Sequence, residues 1–288
     1  MINTLKTYYY LTKPGIIRGN AVTAAAGFLL AAGLHPDLGL FLATLVGLSL
    51  IVASACVLNN CLDRRIDAAM ARTQRRALVR GLVSTRAAII YATILGLTGA
   101  ALLAAFTNLL TLGLALFGLF AYVVLYGIAK RRTVHGTVVG SISGAVPPVV
   151  GYTAVTGSLD HGALILFLIL VFWQMPHFYA IALYRRDDYA AAKLPVLPVV
   201  KGARAVKIQI PLYIIGFIIA ASSLAIFGYT GYTYLAIVAV LGLVWLALSL
   251  RGFRSGTDDQ RWARGMFLYS LLVIAVLCVT IAMNAILP

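Results

Sequence analysis

Nine long apolar runs, near residues 16–34, 38–60, 87–106, 109–129, 137–156, 162–184, 208–228, 231–250 and 266–287, divide this chain of 288 residues. Each is close to the ~20 residues an α-helix needs to cross ~30 Å of hydrocarbon. The charges between them alternate. The N-terminal segment with Arg18, and the connections after runs two, four, six and eight, carry three, seven, three, six and four Lys or Arg, which together are all 23 in the chain. The connections after runs one, three, five and seven carry none. Lys and Arg accumulate on the cytoplasmic side of membrane proteins. The pattern therefore predicts an all-α polytopic membrane protein: nine transmembrane helices bundled around a central cavity, N-terminus cytoplasmic and C-terminus periplasmic. One helix more or fewer would break the alternation.

Composition agrees with this reading. At 62% hydrophobic and 11% charged residues the chain cannot be a soluble domain, and so much apolar sequence excludes a singly anchored one. The net charge of +15 would otherwise suggest nucleic acid, but here it follows from the positive-inside bias, and no nucleic-acid partner is expected. MINTLKTYYYLTKPG lacks both the short apolar core of a cleaved signal peptide and the Arg/Ser-rich character of a transit peptide. The first run is expected to act as its own insertion signal, in a bacterial inner membrane. Cys56, Cys61 and Cys278 lie in or beside apolar stretches without metal spacing and read as buried thiols.

All eight acidic residues are aspartate, and six of them fall in three clusters: Asp63/Asp67, Asp187/Asp188 and Asp258/Asp259. At about 100° per helical residue, Asn59, Asn60, Asp63 and Asp67 share one face of a helix leaving the membrane. A hydrated helix end is the bland reading of such spacing. Here, however, the amides continue into an apolar run, where uncompensated polar groups are costly. Carboxylate and amide oxygens converging at one point suit Mg²⁺ bridging substrate phosphates, and nearby arginines suit the remaining phosphate charge. Tyr184–Tyr189 has similar ingredients, with Asp188 the better inward candidate, whereas Asp258/Asp259 reads as a solvated loop. The loops 61–86 and 185–207 lie four runs apart and so face the same way, as a weak pseudo-repeat around one cytoplasmic cavity. Pro147, Pro148, Pro176 and Pro211 suggest kinks that open it. Two acidic sites at an apolar cavity suit a prenyl diphosphate: cations neutralise the leaving group, and the cavity keeps water from the allylic cation.

NNCLDRRIDAAMARTQRRALVRG at 59–81 resembles the NNxxDxxxDxxMxRTxxRxL stretch of the UbiA-type intramembrane prenyltransferases, in the protohaem IX farnesyltransferase branch. LTKPGII at 11–17, KRRTVHGTVVGSISGAVPPVVGY at 130–152, WQMPHFYAIALYRRDDY at 173–189 and KLPVLPVVKG at 193–202 extend the resemblance along nearly the whole chain. It implies transfer of farnesyl from farnesyl diphosphate to a vinyl group of haem b, with water completing haem O. It also implies Mg²⁺ as cofactor, haem as substrate, and association with haem A synthase or terminal oxidase assembly. By motif, Asn59, Asn60, Asp63 and Asp67 would hold the Mg²⁺–diphosphate, with Arg72 and Arg76 beside it. Asp188, as a further metal ligand, and Lys193 would complete the site from the other half. Lys130 and Arg131 are diphosphate or propionate partners. Ala77 stands where many members have proline. A second DxxxD of the quinone-type relatives is absent, leaving open whether lysine replaces a second Mg²⁺.

Of the four histidines, His35 and His161 fall in external loops and read as non-functional. His135, in an internal loop, is solvated or meets a propionate. His177 sits roughly 12 Å inside the basic end of its helix, where an ionisable side chain is a functional candidate. It is an axial haem ligand walled by Trp173 and Phe178, or a histidine satisfied by a neighbouring helix. Prenylation of an aromatic or quinone precursor is the nearest alternative activity, and the WQMPH and PVLPVV blocks weigh against it. A cation-coupled transporter would place its acids near the midplane. A non-enzymatic haem assembly factor would leave the acidic clusters without a role.

Overall fold

A computed structural model describes residues 2–284 and 286. The helices in order are α1 Ile2–Leu11, α2 Pro14–Ala32, α3 Leu38–Leu62, α4 Arg64–Ala69, α5 Thr85–Phe106, α6 Leu109–Phe120, α7 Tyr126–Arg132, α8 Gly136–Thr156, α9 His161–Tyr184, α10 Arg186–Ala191, α11 Leu197–Val200, α12 Gly202–Ile226, α13 Tyr232–Leu250 and α14 Asp259–Ala282. A π-helical turn, Ala121–Leu125, joins α6 to α7 into one rod. Among the described residues nine helices are long and apolar enough to cross a membrane: α2, α3, α5, the α6–α7 rod, α8, α9, α12, α13 and α14. These correspond one to one with the nine predicted runs.

The boundaries differ most where helices begin in charge. α12 starts at Gly202 rather than 208, and α14 at Asp259 rather than 266. Their first two turns carry Arg204, Lys207, Arg261 and Arg264, which an apolar-run criterion cuts away although long cations can extend from a helix end to the interface. The predicted ninth run ended at 287; residues 285 and 287 lie outside those described. The expectation that Asp258/Asp259 form a solvated loop is corrected. The Asp258 carboxylate caps α14 by accepting from the backbone N–H of Gln260 and Arg261 (3.0 and 3.1 Å), and Asp259 pairs with Lys207 at 2.5 Å. The first N–H groups of a helix have no intrahelical partner, and a carboxylate there also meets the positive end of the dipole. Asp37 and Asp160 cap α3 and α9 in the same way, to Leu40 and Ala163. Caps thus account for three of the eight acids.

Helices α8 and α9 form the centre of the bundle, and both keep their prolines within a continuous helix. Glycine lets the backbones approach. A Cβ on Gly27 would stand 2.0 Å from the Pro148 carbonyl oxygen, and one on Gly151 would stand 1.9 Å from that of Ala24. The α2–α8 crossing therefore tolerates nothing larger, as small-residue packing in membranes requires. Cross-helix hydrogen bonds add to it: the Asn108 amide donates to the Thr153 carbonyl at 2.8 Å, and Thr111 and Thr153 share a 3.1 Å bond. Side chains such as Leu97, Leu109, Ile219 and Val240 lie on the outside, as expected where lipid is the solvent.

Candidate active site at the basic end of the bundle

α3 ends one residue before Asp63, whose backbone (φ −89°, ψ 2°) leads into α4. The i→i+4 ladder nevertheless runs on, since Asp63 N–H donates to Asn59 O (2.9 Å) and Asp67 N–H to Asp63 O (2.8 Å). The four residues therefore share one face as their spacing predicts, and all are at least 93% buried. Each is held by a distant element. Asn60 donates to the Leu11 carbonyl at 2.8 Å. Arg76 donates to Asp67 at 2.6 Å and to Asn60 Oδ1 at 3.4 Å, while the Thr73 hydroxyl donates to the Asp67 carbonyl at 2.8 Å. Lys130 from α7 forms a short ion pair with Asp63 Oδ2, and its ammonium lies 4.9 Å over the Tyr126 ring. Arg131 bridges Asp63 Oδ1 (3.1 Å) and the Leu62 carbonyl (2.7 Å). Gly136 makes room for this, because a Cβ there would come within 2.7 Å of Lys130 Cα.

Lys13 belongs to the same cluster and was not singled out in the sequence. Its Nζ donates to Asn59 Oδ1 at 3.0 Å, and its backbone is left-handed at φ 54°. Pro14 disfavours the right-handed helical region for the residue before it. An L-residue is rarely left-handed without glycine's freedom, so the surroundings hold this turn in place. Burial pushes the Lys13 ammonium down to about 8, against the attraction of Asp63 and Asp67. The one available signal was a basic residue set between a tyrosine-rich stretch and a helix-starting proline.

The cluster borders a cavity of about 740 Å³, lined mostly by apolar side chains and by Lys130 and Arg72. Arg72, from the loop after α4, meets Tyr189 of α10, so the two long loops touch at the cavity. Tyr122 and Tyr126, stacked with ring centroids 5.6 Å apart, face the cavity across the π turn, a deformation often found at functional sites. Asp187 is exposed and Asp188 half-buried, in keeping with Asp188 as the inward member. Neither Asp188 nor the exposed, left-handed Lys193 (φ 53°) makes an ion pair among the described residues. No group of three or more His, Cys, Asp or Glu placed to hold a metal occurs there either, so Asp188 does not join Asp63 and Asp67 in one ligand set.

The donor chemistry still fits Mg²⁺. That ion is commonly bound by one or two carboxylates together with substrate phosphates and water, and Asp63 and Asp67 are two buried carboxylates one turn apart. Like the carboxylates, which accept from Arg76, Lys130 and Arg131, Asn59 already has a basic partner. Its oxygen is taken by Lys13, leaving Nδ2 buried with no partner, a donor that a phosphate oxygen would satisfy.

At the inner side of the cavity, His177 stacks on Trp173 (centroids 4.9 Å apart, planes at 25°) and meets Phe267 at 5.0 Å. Ser270 Oγ donates to the Phe267 carbonyl at 2.6 Å, so its 2.7 Å contact with His177 Nδ1 has the imidazole N–H as donor. Trp173 Nε1 donates to the Ser270 carbonyl at 2.8 Å. The network thus selects the tautomer with an unprotonated Nε2. His135 is exposed.

A nine-span helical bundle whose buried amide–carboxylate face borders an apolar cavity defines a class: intramembrane proteins suited to a molecule with an anionic head and an apolar tail. The chain belongs to the UbiA prenyltransferase family, whose model matches residues 20–271. Protoheme IX farnesyltransferase 2 of Chromobacterium violaceum is 54% identical over 280 residues, which cover 97% of this chain and 93% of that protein. The same fold occurs in a structure of digeranylgeranylglyceryl phosphate synthase (TM-score 0.80, 18% identity, 99% of both chains). It also occurs in a UbiA homolog from Archaeoglobus fulgidus bound to GPP and Mg²⁺ (TM-score 0.71, 16% identity, 96% of this chain and 99% of that one).

Proposed function

We propose that this protein is a bacterial inner-membrane enzyme that farnesylates haem b to haem O from its cytoplasmic side. The carrying observation is the buried Asn59–Asp67 face, whose Asp63 is held by the cavity-lining Lys130, in a cavity that also receives His177. The high identity to a protoheme IX farnesyltransferase supports the choice of substrates.

Asp63 and Asp67 would hold Mg²⁺, which supplies charge neutralisation for a departing diphosphate. Asn59 Nδ2 offers a hydrogen bond to a phosphate oxygen. Lys13, Arg72, Arg76, Lys130 and Arg131 surround that position with positive charge, all five from elements outside α3, with Asp188 and Lys193 approaching from the second loop. Four of these cations, Lys13, Arg76, Lys130 and Arg131, are held by carboxylates or amides of the site itself, which fixes their positions. The farnesyl C1–O bond breaks with its electron pair leaving on diphosphate. The faces of Tyr122 and Tyr126 and the apolar walls shield the allylic cation from water. A vinyl carbon of haem attacks C1, forming a C–C bond. Water then adds to the cation beside the porphyrin and loses a proton, giving a hydroxyethylfarnesyl group. His177 Nε2, directed by Ser270, orients the acceptor as an axial ligand of its iron.

Purified protein given haem b, farnesyl diphosphate and Mg²⁺ should yield a haem heavier by farnesyl plus water. EDTA and Asp63→Ala should each suppress it. Absence of that product, or product insensitive to both treatments, overturns the reading.

A further inference from the structure

A second cavity, of about 590 Å³, opens between the end of α9 and the start of α14. Arg185, Arg261 and Arg264 line it over Tyr184 and Phe267, and Asp258 stands at its rim. None of the three arginines has an ion-pair partner among the described residues. The Asp258 carboxylate is committed to the backbone N–H groups of Gln260 and Arg261. The Arg185 guanidinium lies 4.7 Å over the Tyr184 ring, which fixes its plane. A positive-inside bias accounts for arginines at this end of the bundle; it does not account for three converging on one hollow from two helices. Phe267 stands between this hollow and the central cavity. Its ring lies 5.0 Å from that of His177, which lines the central cavity, and 6.1 Å from that of Tyr184.

We propose that this three-arginine cleft docks the carboxylates of the acceptor, the two propionates of haem b. The proposal rests on the reading of haem b as acceptor. Three guanidiniums against one engaged carboxylate leave an excess charge of two, matching a dicarboxylate. Guanidinium recognises carboxylate through paired N–H donors. Tyr184 and Phe267 suit the edge of a flat apolar macrocycle, and His177 of the central cavity lies across the Phe267 ring. A diphosphate fits less well, because the cleft has a single carboxylate, Asp258, and no pair for the metal that would accompany it. The guanidiniums could also take the phosphate of an anionic phospholipid, and the experiment separates these sources.

The full chain, in nanodiscs of neutral lipid, is titrated with haem b and with its dimethyl ester by Soret absorbance. Wild type and Arg261→Gln/Arg264→Gln are compared, and KM is measured for each substrate. Exposed charge contacts of ordinary strength at two arginines predict about tenfold tighter binding of haem b than of the ester by wild type, a preference lost in the variant. KM for haem b should rise by a similar factor while that for farnesyl diphosphate stays put, which also shows that the variant is folded. Arg261→Lys/Arg264→Lys should recover part of the preference. An unchanged preference in the Gln variant, an equal loss for acid and ester, or an effect that needs anionic lipid overturns the proposal. If wild type forms no farnesylated haem, the underlying reading fails, and the acid-against-ester comparison still reports on the cleft by itself.

Discussion

Lys13 couples backbone strain to charge at the site, and two substitutions pull these apart. Its φ of 54° costs an L-residue roughly 1–2 kcal/mol. Lys13→Ala keeps that cost. Lys13→Gly removes it but gives back ~0.5–1 kcal/mol in unfolded-chain entropy. Both lose the 3.0 Å bond to Asn59. The Gly variant should therefore be the more stable of the two by about 0.5–1 kcal/mol, or ~1–3 °C in a protein of this size. Activity should follow the charge instead: both variants should raise KM for farnesyl diphosphate about tenfold, equivalent to ~1.4 kcal/mol for one charge-assisted contact. Thermal unfolding in detergent and steady-state kinetics read the two effects. A Gly variant clearly less stable than Ala, or either variant with wild-type KM, refutes the reasoning. Titration offers a check on the ligand-free protein. Burial lowers the Lys13 ammonium from 10.5 to about 8. Between those values the unfolded chain holds the proton more tightly than the folded one, so stability should rise with pH across that window and level off above it. Lys13→Met should remove its share of this rise and flatten the profile.

Two further outcomes follow from packing and from the histidine network. Gly151→Ala places a Cβ 1.9 Å from the Ala24 carbonyl and must part α2 from α8; a loss of about 1–3 kcal/mol is expected in thermal unfolding. Gly113→Ala on α6 meets nothing within 4 Å and should gain slightly, so equal behaviour of the two would contradict the close crossing. Ser270→Ala removes the 2.7 Å acceptor of His177 Nδ1 and should weaken haem binding about three- to tenfold in a Soret titration, with KM for farnesyl diphosphate unchanged. A shift in the diphosphate constant alone would place His177 in a different role.

The spans and the amide–carboxylate face were legible because each rests on local periodicity. A run of apolar residues declares a membrane helix wherever it packs, and residues 59, 60, 63 and 67 share a face in any helix that includes them. Capping carboxylates were harder to read, since Asp258/Asp259 in a loop and at a helix start look alike until the helix is extended into its charged first turns. Lys13, although inside the LTKPGII block, and Tyr122 and Tyr126 were given no role because their partners are not sequence neighbours. Lys13 matters through Asn59, 46 positions away, and the two tyrosines through a π turn that rotates them onto the cavity.

Sequence by itself determined nine stretches of membrane-spanning length, cations confined to alternate connections and a polar helix face among them, because hydrophobic length and helical period are properties of contiguous residues. Tertiary structure decided which cation meets which carboxylate: Lys130 and Arg131 with Asp63, Arg76 with Asp67, and Lys13 with the neighbouring amide. It also decided the tautomer of His177, through a serine 93 positions later, and the meeting of three arginines above Phe267. These pairings depend on how closely the helices pack, which glycines such as Gly27, Gly136 and Gly151 permit. The identity of a residue shows that a close approach is possible, and only the folded bundle shows what approaches it.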